Sequence, residues 1–447
     1  MDKITIHFEG KRDAIAPLTW AQRRTWRGSR LKYRPFVYVQ SVPPGKNLRE
    51  VGNAVKWAFE EFETLRTIFP SDVDGDPYQK VEKVGSVELF KIPTEEPTES
   101  DIQDAIHRLR RERFDITTEF GALFAVVTCV DVPTHLICLV SHLAVDDQGC
   151  RALGVALDGY FSGDRDRPSV PLTHPVDRAQ LERSTKWQEK SAHSLEYWKS
   201  ILENLPQDGD RSAVMDSYAL RAAVSVLSKK YAMGTSVVYL AAISVVAGAL
   251  MGRSTSSFLL PASNRLNQEE RSFVGELVQF APGVLESLNA PFETIVTDAW
   301  KASLKGYRFS RYDEQALQLI LTDLDENRES KRAFDLSFND MRNSTEGQNG
   351  CGAKGEIHNL TKQTEIELRE RVYRGGSRFL SFGLRGDGNE ILSINVHDSY
   401  FPEFPVRRIL LAIEALAVGV AMEDVEPLNY PMRFARAYLT SRNTTVD

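Results

Sequence analysis

Two hydrophobic periods alternate along this chain of 447 residues and predict a mixed α/β protein. At residues 48–69 the apolar side chains recur at helical spacing, which predicts a long amphipathic helix. Short apolar runs that end at turn residues predict strands. The predicted strands are 36–42, 78–84, 87–92, 123–131, 134–141, 258–261, 334–339, 378–384 and 391–396. Helices and strands occur in both halves of the chain, which favours two domains of the same α+β class.

The remaining helical patterns and one change of composition divide the chain. The other predicted helices are a short one after Thr19 and longer ones at 101–113, 150–161, 178–204, 236–251 and 405–421. Residues 163–175 are rich in Asp, Arg and Pro, which is typical of a segment between domains. We therefore predict an N-terminal domain, residues 1–175, and a C-terminal domain, residues 176–447.

Composition narrows the classes of function. A hydrophobic content of 42% and a charged content of 26% are typical of a globular protein with a large core. The net charge of −7 argues against non-specific nucleic-acid binding. The longest apolar stretch, 237–251, is shorter than the ~20 residues of a membrane span. The first residues lack the charged-then-apolar pattern of a signal peptide, and the four cysteines lack C-x-x-C spacing. We therefore expect reduced cysteines in a cytoplasmic protein without a nucleic-acid or membrane partner.

The candidate chemistry lies where the strand predicted at 134–141 ends. His142 follows this strand directly, and Asp146 comes four residues later, before the helix predicted at 150–161. Histidine is the side chain best suited to moving a proton near neutral pH. Ser141 precedes the histidine and Asp147 follows the aspartate. The chemistry of the motif depends on these two flanking residues.

Several other enzyme classes find no support in the sequence. The chain contains no Gly-rich phosphate loop, no G-x-S-x-G nucleophile motif and no His/Cys cluster with metal-ligand spacing. ATP activation, a serine triad and a bound metal are therefore not expected.

Residues 141–147, SHLAVDD, resemble the HHxxxDG motif of nonribosomal peptide synthetase condensation domains and their acyltransferase relatives. Further stretches resemble family motifs and follow in the family's order. They are 18–22 (L-T-x-A-Q), 62–69 (H-E-A-L-R-T-x-F), 114–116 with 121–124 (F-D-L…G-P-L-x-R), 197–198 (Y-W), 264–265 (N-R) and 274–279 (V-G-x-F-V-N). By this resemblance essentially the whole chain is one condensation-type unit.

The resemblance implies a fold and a set of partners. It implies two lobes like chloramphenicol acetyltransferase, each a two-layer α/β sandwich, in a V-shaped pseudodimer with a central tunnel. The motif histidine is expected near the middle of that tunnel. Acyl or peptidyl carrier proteins are the expected partners, with a small-molecule amine or alcohol as acceptor. No bound cofactor is implied, because phosphopantetheine arrives with the carrier protein, or coenzyme A replaces it.

The resemblance also assigns roles to residues of the motif. His142 matches the histidine that the family uses, as a proton acceptor or to position the nucleophile; the alternative is a core histidine with structural partners. Asp146 matches the loop-holding aspartate, and its expected partner is Arg66. Ser141 replaces a supportive histidine, which activity can tolerate. A nucleophilic Ser141 is disfavoured because adjacent strand residues point to opposite faces.

Asp147 is the main departure from the family pattern, since it replaces the motif glycine. A negative charge at this position would destabilise an oxyanion that develops nearby. It could also pair with His142, raise its pKa and leave it a poor base. Asp147 could instead simply cap the following helix. The same D-D ending occurs in the catalytically silent X domains of glycopeptide synthetases, which recruit oxygenases.

Two polar residues further along the chain are candidates for binding pantetheine or substrate. Gln279 stands where the family has asparagine near the tunnel, and Asn339 closes a predicted inner strand. The alternative for both is an ordinary polar residue at the end of a strand.

The sequence thus predicts a free-standing condensation-type acyltransferase of natural-product biosynthesis. It would join a carrier-tethered acyl or aminoacyl thioester to an amine, giving an amide, or to an alcohol, giving an ester. The alternative is a catalytically silent module of the same fold that binds a carrier protein or recruits a tailoring enzyme. A chloramphenicol-type acetyltransferase trimer is less favoured, because the length fits two fused lobes. Donor, acceptor, pathway and oligomeric state do not follow from the sequence.

Overall fold

The computed structural model describes residues 2–27, 35–112, 115–163, 173–202, 210–325, 334–342, 357–368, 378–386, 390–397, 406–422 and 430–440. Its strands are β1 (Asp2–Glu9), β2 (Ala14–Pro17), β3 (Pro35–Ser41), β4 (Thr67–Ile68), β5 (Tyr78–Val81), β6 (Val84–Thr94), β7 (Ala122–Cys129), β8 (Val132–Ser141), β9 (Asp210–Asp216), β10 (Ser256–Ala262), β11 (Gln279–Leu285), β12 (Phe334–Asp340), β13 (Glu365–Leu368), β14 (Arg378–Gly386) and β15 (Glu390–His397). Its helices are α1 (Trp20–Arg27), α2 (Leu48–Glu61), α3 (Glu99–Leu109), α4 (Asp147–Ser162), α5 (Pro175–Glu182), α6 (Thr185–Leu202), α7 (Tyr218–Tyr231), α8 (Thr235–Leu250), α9 (Gln268–Ser272), α10 (Phe292–Arg308), α11 (Glu314–Asp325), α12 (Ile357–Leu360), α13 (Val406–Met422) and α14 (Tyr430–Thr440).

The chain forms two compact units, and the first is discontinuous in sequence. Unit 1 consists of Met1–Ser191, Ser263–Gln279 and Tyr312–Gln315, and unit 2 of the remaining residues. The chain thus passes from unit 2 to unit 1 after β10, and it continues in unit 2 with β11. The domain boundary at residues 175 and 176 stays a prediction, and residues 164–172 of the linker proposed there lie outside the described residues.

Unit 1 is built on a five-stranded sheet in the order β1-β6-β7-β8-β3. Its neighbouring strands are antiparallel except β6 and β7, which are parallel. A small three-stranded sheet, β2-β5-β4, completes the unit. Cys129, Cys138 and Cys150 are free thiols, whereas Cys351 lies outside the described residues.

Strand β8 is buried on both faces, which explains its nearly continuous apolar sequence. Leu136, Cys138 and Val140 pack in one cluster with residues of α2 and α4. The alternate residues Ile137 and Leu139 pack with residues of α3 on the opposite face. The strand is therefore held rigidly at its position up to the point where the motif begins.

Two predicted helices differ from those observed. The helix predicted at 48–69 ends at Glu61, because the backbone becomes extended at Phe62 and then forms a 3-10 turn, Glu63–Arg66, before β4. The residues of this turn are buried, so the apolar pattern continues although the helix does not. The helix predicted at 178–204 is two helices, α5 and α6, separated at Arg183 and Ser184.

Unit 2 is built on a seven-stranded sheet in the order β11-β10-β12-β14-β15-β9-β13. Strand β12 runs parallel to β10 and β14, and β15, β9 and β13 follow in antiparallel pairs. Its core combines buried residues of α7, α8 and α13 with those of the sheet. In the described part of the chain no single helix is long and apolar enough to cross a membrane; α7 and α8 pass that test only as a pair bent by 110°.

Candidate functional site

His142 lies in the turn that directly follows β8, and Ser141 shapes this turn. The Ser141 N–H donates to the carbonyl oxygen of Gly121 at 2.7 Å. Its own carbonyl accepts the N–H groups of Ala144 and Val145, and its hydroxyl oxygen accepts the Leu143 N–H at 3.2 Å. The buried serine therefore has a structural role in the turn, and the tolerance of activity for serine at this position stays a prediction.

Asp146 is the N-cap of α4 and is saturated with donors. One carboxylate oxygen accepts the Gly149 N–H at 2.7 Å, and the other accepts the Leu277 N–H at 2.8 Å. Arg265 adds two contacts of 2.9 Å, one to each oxygen. Burial raises the pKa of Asp146, and the Arg265 charge opposes this effect. Such a fully paired, buried carboxylate holds the motif turn to the segment Ser263–Gln279.

The predicted pair of Arg66 and Asp146 is wrong. The 3-10 turn after α2 places Arg66 beside the Glu63 carboxylate, at 3.6 Å, and its guanidinium donates to the carbonyl oxygens of Arg12 and Glu82 at 2.9 Å each. The partner of Asp146 is Arg265 instead. The signal for it was present in the sequence, because residues 264–265 are one of the stretches that resemble a family motif.

Glu276 contacts His142, although no sequence pattern assigned it a role. One Glu276 oxygen lies 2.8 Å from His142 Nδ1, and the other accepts from Arg24 Nη2 at 3.1 Å. The Glu276 side chain is fully buried, whereas His142 keeps 15% of its side chain exposed and Arg24 keeps 12%. The ring of Phe36, on β3, packs edge-on to the imidazole at a centroid distance of 4.7 Å. His142 is thus fixed at one nitrogen by a buried acid.

These contacts set the protonation of His142. Burial lowers the pKa of His142, but the charge of Glu276 and its hydrogen bond act in the opposite direction and outweigh burial. The Arg24 charge lowers the pKa of His142 and so limits the rise. The net result is a raised pKa, which favours a doubly protonated ring more than in a free histidine.

A model of the condensation domain matches residues 12–369, about four fifths of the chain. The chain belongs to the condensation-domain family. Condensation domains act on carrier-bound phosphopantetheinyl thioesters and interact with carrier proteins. The resemblance found in the sequence is thereby confirmed, with a mixed α/β fold of two sheet-based units.

Curated and structural relatives agree with this assignment. An isonitrile lipopeptide synthase of Mycobacterium tuberculosis (strain ATCC 25618 / H37Rv) is 27% identical over 226 residues, 46% of this chain and 9% of that protein. This chain therefore matches less than a tenth of the length of that relative. The condensation domain of the monacolin K polyketide synthase MokA superposes with a TM-score of 0.68 at 15% identity, covering 92% of this chain and 99% of that one. The X-domain from teicoplanin biosynthesis gives 0.62 at 16% identity, with 92% and 95% covered.

Asp147, the departure from the family glycine, pairs with an arginine on the exposed side of α4. It is the first residue of α4, its carboxylate lies 2.9 Å from Arg151 Nε, and 61% of its side chain is exposed. The acid that pairs with His142 is Glu276, and the residue that caps α4 is Asp146. Both structural roles proposed for Asp147 from the sequence therefore belong to other carboxylates of this condensation domain.

The two residues proposed to bind pantetheine or substrate are placed as follows. Gln279 is buried in unit 1, and its amide donates to the Tyr312 carbonyl oxygen at 2.7 Å. Asn339 is half-buried in unit 2, where its backbone pairs with Gly383 of β14. This amide contact gives Gln279 a structural function, and a ligand-binding role for either residue stays a prediction.

The described ranges contain no group of three or more His, Cys, Asp or Glu side chains that could hold a metal ion. The polar groups of the site are instead arranged around a single imidazole. Such an arrangement can accept, hold and return a proton.

Proposed function

We propose that this condensation domain transfers an acyl or aminoacyl group from a carrier-tethered thioester to an amine, with His142 as the proton acceptor; an alcohol acceptor would give an ester. The observation that supports this proposal best is the contact between His142 Nδ1 and the buried Glu276 carboxylate. A ring that is held at Nδ1 keeps Nε2 for a substrate.

The proposed reaction is balanced without a cofactor. The amine nitrogen attacks the thioester carbonyl, so that a C–N bond forms and the C–S bond breaks. His142 takes the proton from the nitrogen and returns it to the departing thiolate sulfur of phosphopantetheine. Phosphopantetheine thus enters as part of the substrate, and coenzyme A could carry the same thioester.

The alternative function is a silent platform that binds a carrier protein or recruits a tailoring enzyme. Asp147 favours this alternative, because it replaces the glycine of the family motif, and the fold similarity to an X-domain is compatible with it. The contact with Arg151 weakens this alternative, since the Asp147 charge is paired in an exposed position and not at the imidazole. We therefore favour the enzyme, and we retain a cytoplasmic location as part of the proposal.

The two functions can be separated with purified protein, a panel of acyl carrier thioesters and a panel of amines. His142→Ala should lower product formation by about 10²-fold or more, as expected for the loss of a general base. His135→Ala, on the same strand, is the matched control and should leave the rate unchanged. Asp147→Gly should change the rate by less than about tenfold.

Two outcomes would count against catalysis by His142. Equal product from the wild type and His142→Ala would exclude the histidine as the base. Product formed by Asp147→Gly alone would mean that the native protein is a platform whose site is disabled.

A further inference from the structure

We infer that Glu276, held by Arg24, is a positioning residue that fixes which nitrogen of His142 meets the substrate and stabilises the proton that His142 carries during acyl transfer. This inference deepens the proposed function and rests on it for the catalytic use of the proton. The state of the imidazole, however, can be measured without any turnover.

Three separate elements of unit 1 bring these side chains together. His142 comes from the turn after β8, Arg24 from α1, and Glu276 from the segment between α9 and β11. Arg24 is itself oriented, because its Nε donates to the Val278 carbonyl oxygen at 3.0 Å. A fully buried carboxylate requires partners of this kind, since an unpaired buried charge is very costly.

The geometry selects one tautomer of the neutral ring. A carboxylate can only accept a hydrogen bond, so the proton of neutral His142 lies on Nδ1 and the lone pair on Nε2. When Nε2 takes the proton of the attacking amine, the ring becomes an imidazolium whose charge faces Glu276. The Glu276 carboxylate lies against this imidazolium, as the buried aspartate does in serine-protease triads. The proton then leaves from Nε2 to the thiolate sulfur, and the starting tautomer is restored.

Glu276 and Arg24 act on His142 in opposite directions. Among the described residues they are the charged groups that act on the imidazole, and the ring packed against it, Phe36, is apolar. Asp146 lies in the same turn, but its charge is matched by Arg265. Glu276 increases the proton affinity of His142 by its charge and its hydrogen bond, and the positive charge of Arg24 decreases it. Neutralising either residue should therefore shift the titration of His142 with opposite sign.

The test is an NMR titration of the His142 ring nitrogens in the full chain. Glu276→Gln should lower the pKa of His142 and abolish the dominance of the Nδ1–H tautomer. Arg24→Met should raise the pKa of His142, and Arg24→Lys, which keeps the charge, should restore a nearly wild-type value. Asp147→Asn is the matched acidic control and should shift the pKa of His142 far less than Glu276→Gln does.

Activity measured against pH gives an independent second readout. His142 must be neutral to accept a proton, so kcat/KM should rise with pH through the pKa of His142. Glu276→Gln should move this limb to lower pH and reduce kcat by about 10²-fold or more, with a smaller change in KM. Arg24→Met should move the limb to higher pH.

The outcomes distinguish this inference from the proposed function. An unchanged pKa and tautomer of His142 in Glu276→Gln would overturn the inference even if His142→Ala is inactive. Shifted titrations together with full activity of His142→Ala would support the pairing and overturn the proposed catalysis. Should Glu276→Gln fold poorly, the Arg24→Met and Arg24→Lys pair still decides the sign of the effect.

Discussion

Two buried carboxylates of unit 1, Asp146 and Glu276, look alike in burial and differ in their partners. Each is paired with an arginine, Asp146 with Arg265 and Glu276 with Arg24. Asp146 also accepts two backbone N–H groups, so both of its oxygens are saturated by fixed donors. Glu276 divides its oxygens between a fixed cation and an imidazole that can lose its proton.

This difference separates a structural charge from an adjustable one. The donors of Asp146 are an arginine and two backbone N–H groups, so its network has one arrangement and fixes the turn that carries His142. The network of Glu276 has two states, because His142 exchanges a proton with its surroundings. A rigid turn beside a titratable pair is the arrangement that proton transfer requires, since the geometry persists while the charge changes.

The largest expected effect is a difference in unfolding free energy between isosteric replacements of the two acids. Asp146→Asn leaves the buried Arg265 without its counter-charge and should lower the free energy of unfolding by about 3–5 kcal/mol. In Glu276→Gln the loss of unfolding free energy should be clearly smaller, because Arg24 is already partly exposed to solvent. In addition, His142 can respond to the lost charge by becoming neutral. Urea unfolding of both variants measures this difference. Equal losses would show that Glu276 is as purely structural as Asp146.

A double-mutant cycle checks which arginine belongs to Asp146. Asp146 and Arg265 share hydrogen bonds, so their substitutions should be strongly non-additive. Arg66 contacts Glu63 and two backbone carbonyls instead, and its substitution should add to that of Asp146 within about 0.5 kcal/mol. A strong coupling of Arg66 with Asp146 would restore the pairing expected from the sequence.

The sequence predicted the fold better than the pairs within the site. The apolar run of β8 and its end before His142 follow from local hydrophobic pattern, and the order of motifs predicted the family. The partner of Asp146 depends on a segment more than one hundred residues away, so no local periodicity reports it. Glu276 occupies the variable position of its motif, which explains why a motif comparison assigned it no role.

A third prediction concerns the close approach of α4 to the segment that carries Glu276. A Cβ atom on Gly149 would lie 2.7 Å from the Gly275 carbonyl oxygen and 3.0 Å from its nitrogen. The backbone cannot yield as a side chain does, so Gly149→Ala should destabilise the protein by about 1–3 kcal/mol. The matched control is Gly52→Ala in α2, where the nearest atom, Ile6 Cδ1, is 3.8 Å away. This control should stabilise by about 0.5–1 kcal/mol, as alanine normally does in a helix, and equal effects at both sites would contradict the close approach.

A fourth prediction uses the raised pKa of His142 and concerns how stability depends on pH. The folded-state value lies above the unfolded value of about 6.5, because Glu276 stabilises the imidazolium. The stabilisation is therefore complete below about pH 6.5 and is lost as the pH rises through the folded-state pKa. The melting temperature of the wild type relative to His142→Gln should be highest at acidic pH and should fall toward alkaline pH. If the difference in melting temperature between the wild type and His142→Gln instead grew with pH, the folded protein would hold His142 neutral. Glu276 would then be as purely structural as Asp146.

The smallest expected effect is that of replacing Asp147, the main departure of the sequence from the family motif. Asp147→Asn removes an exposed pair with Arg151 and one charge at the start of α4, together worth less than about 1 kcal/mol. The buried Glu276 acts on His142 at 2.8 Å, whereas the Asp147 carboxylate is largely solvated. The change in unfolding free energy and in the pKa of His142 should thus both be minor. A shift of that pKa as large as the one caused by Glu276→Gln would exchange the roles of these two acids and favour the platform over the enzyme.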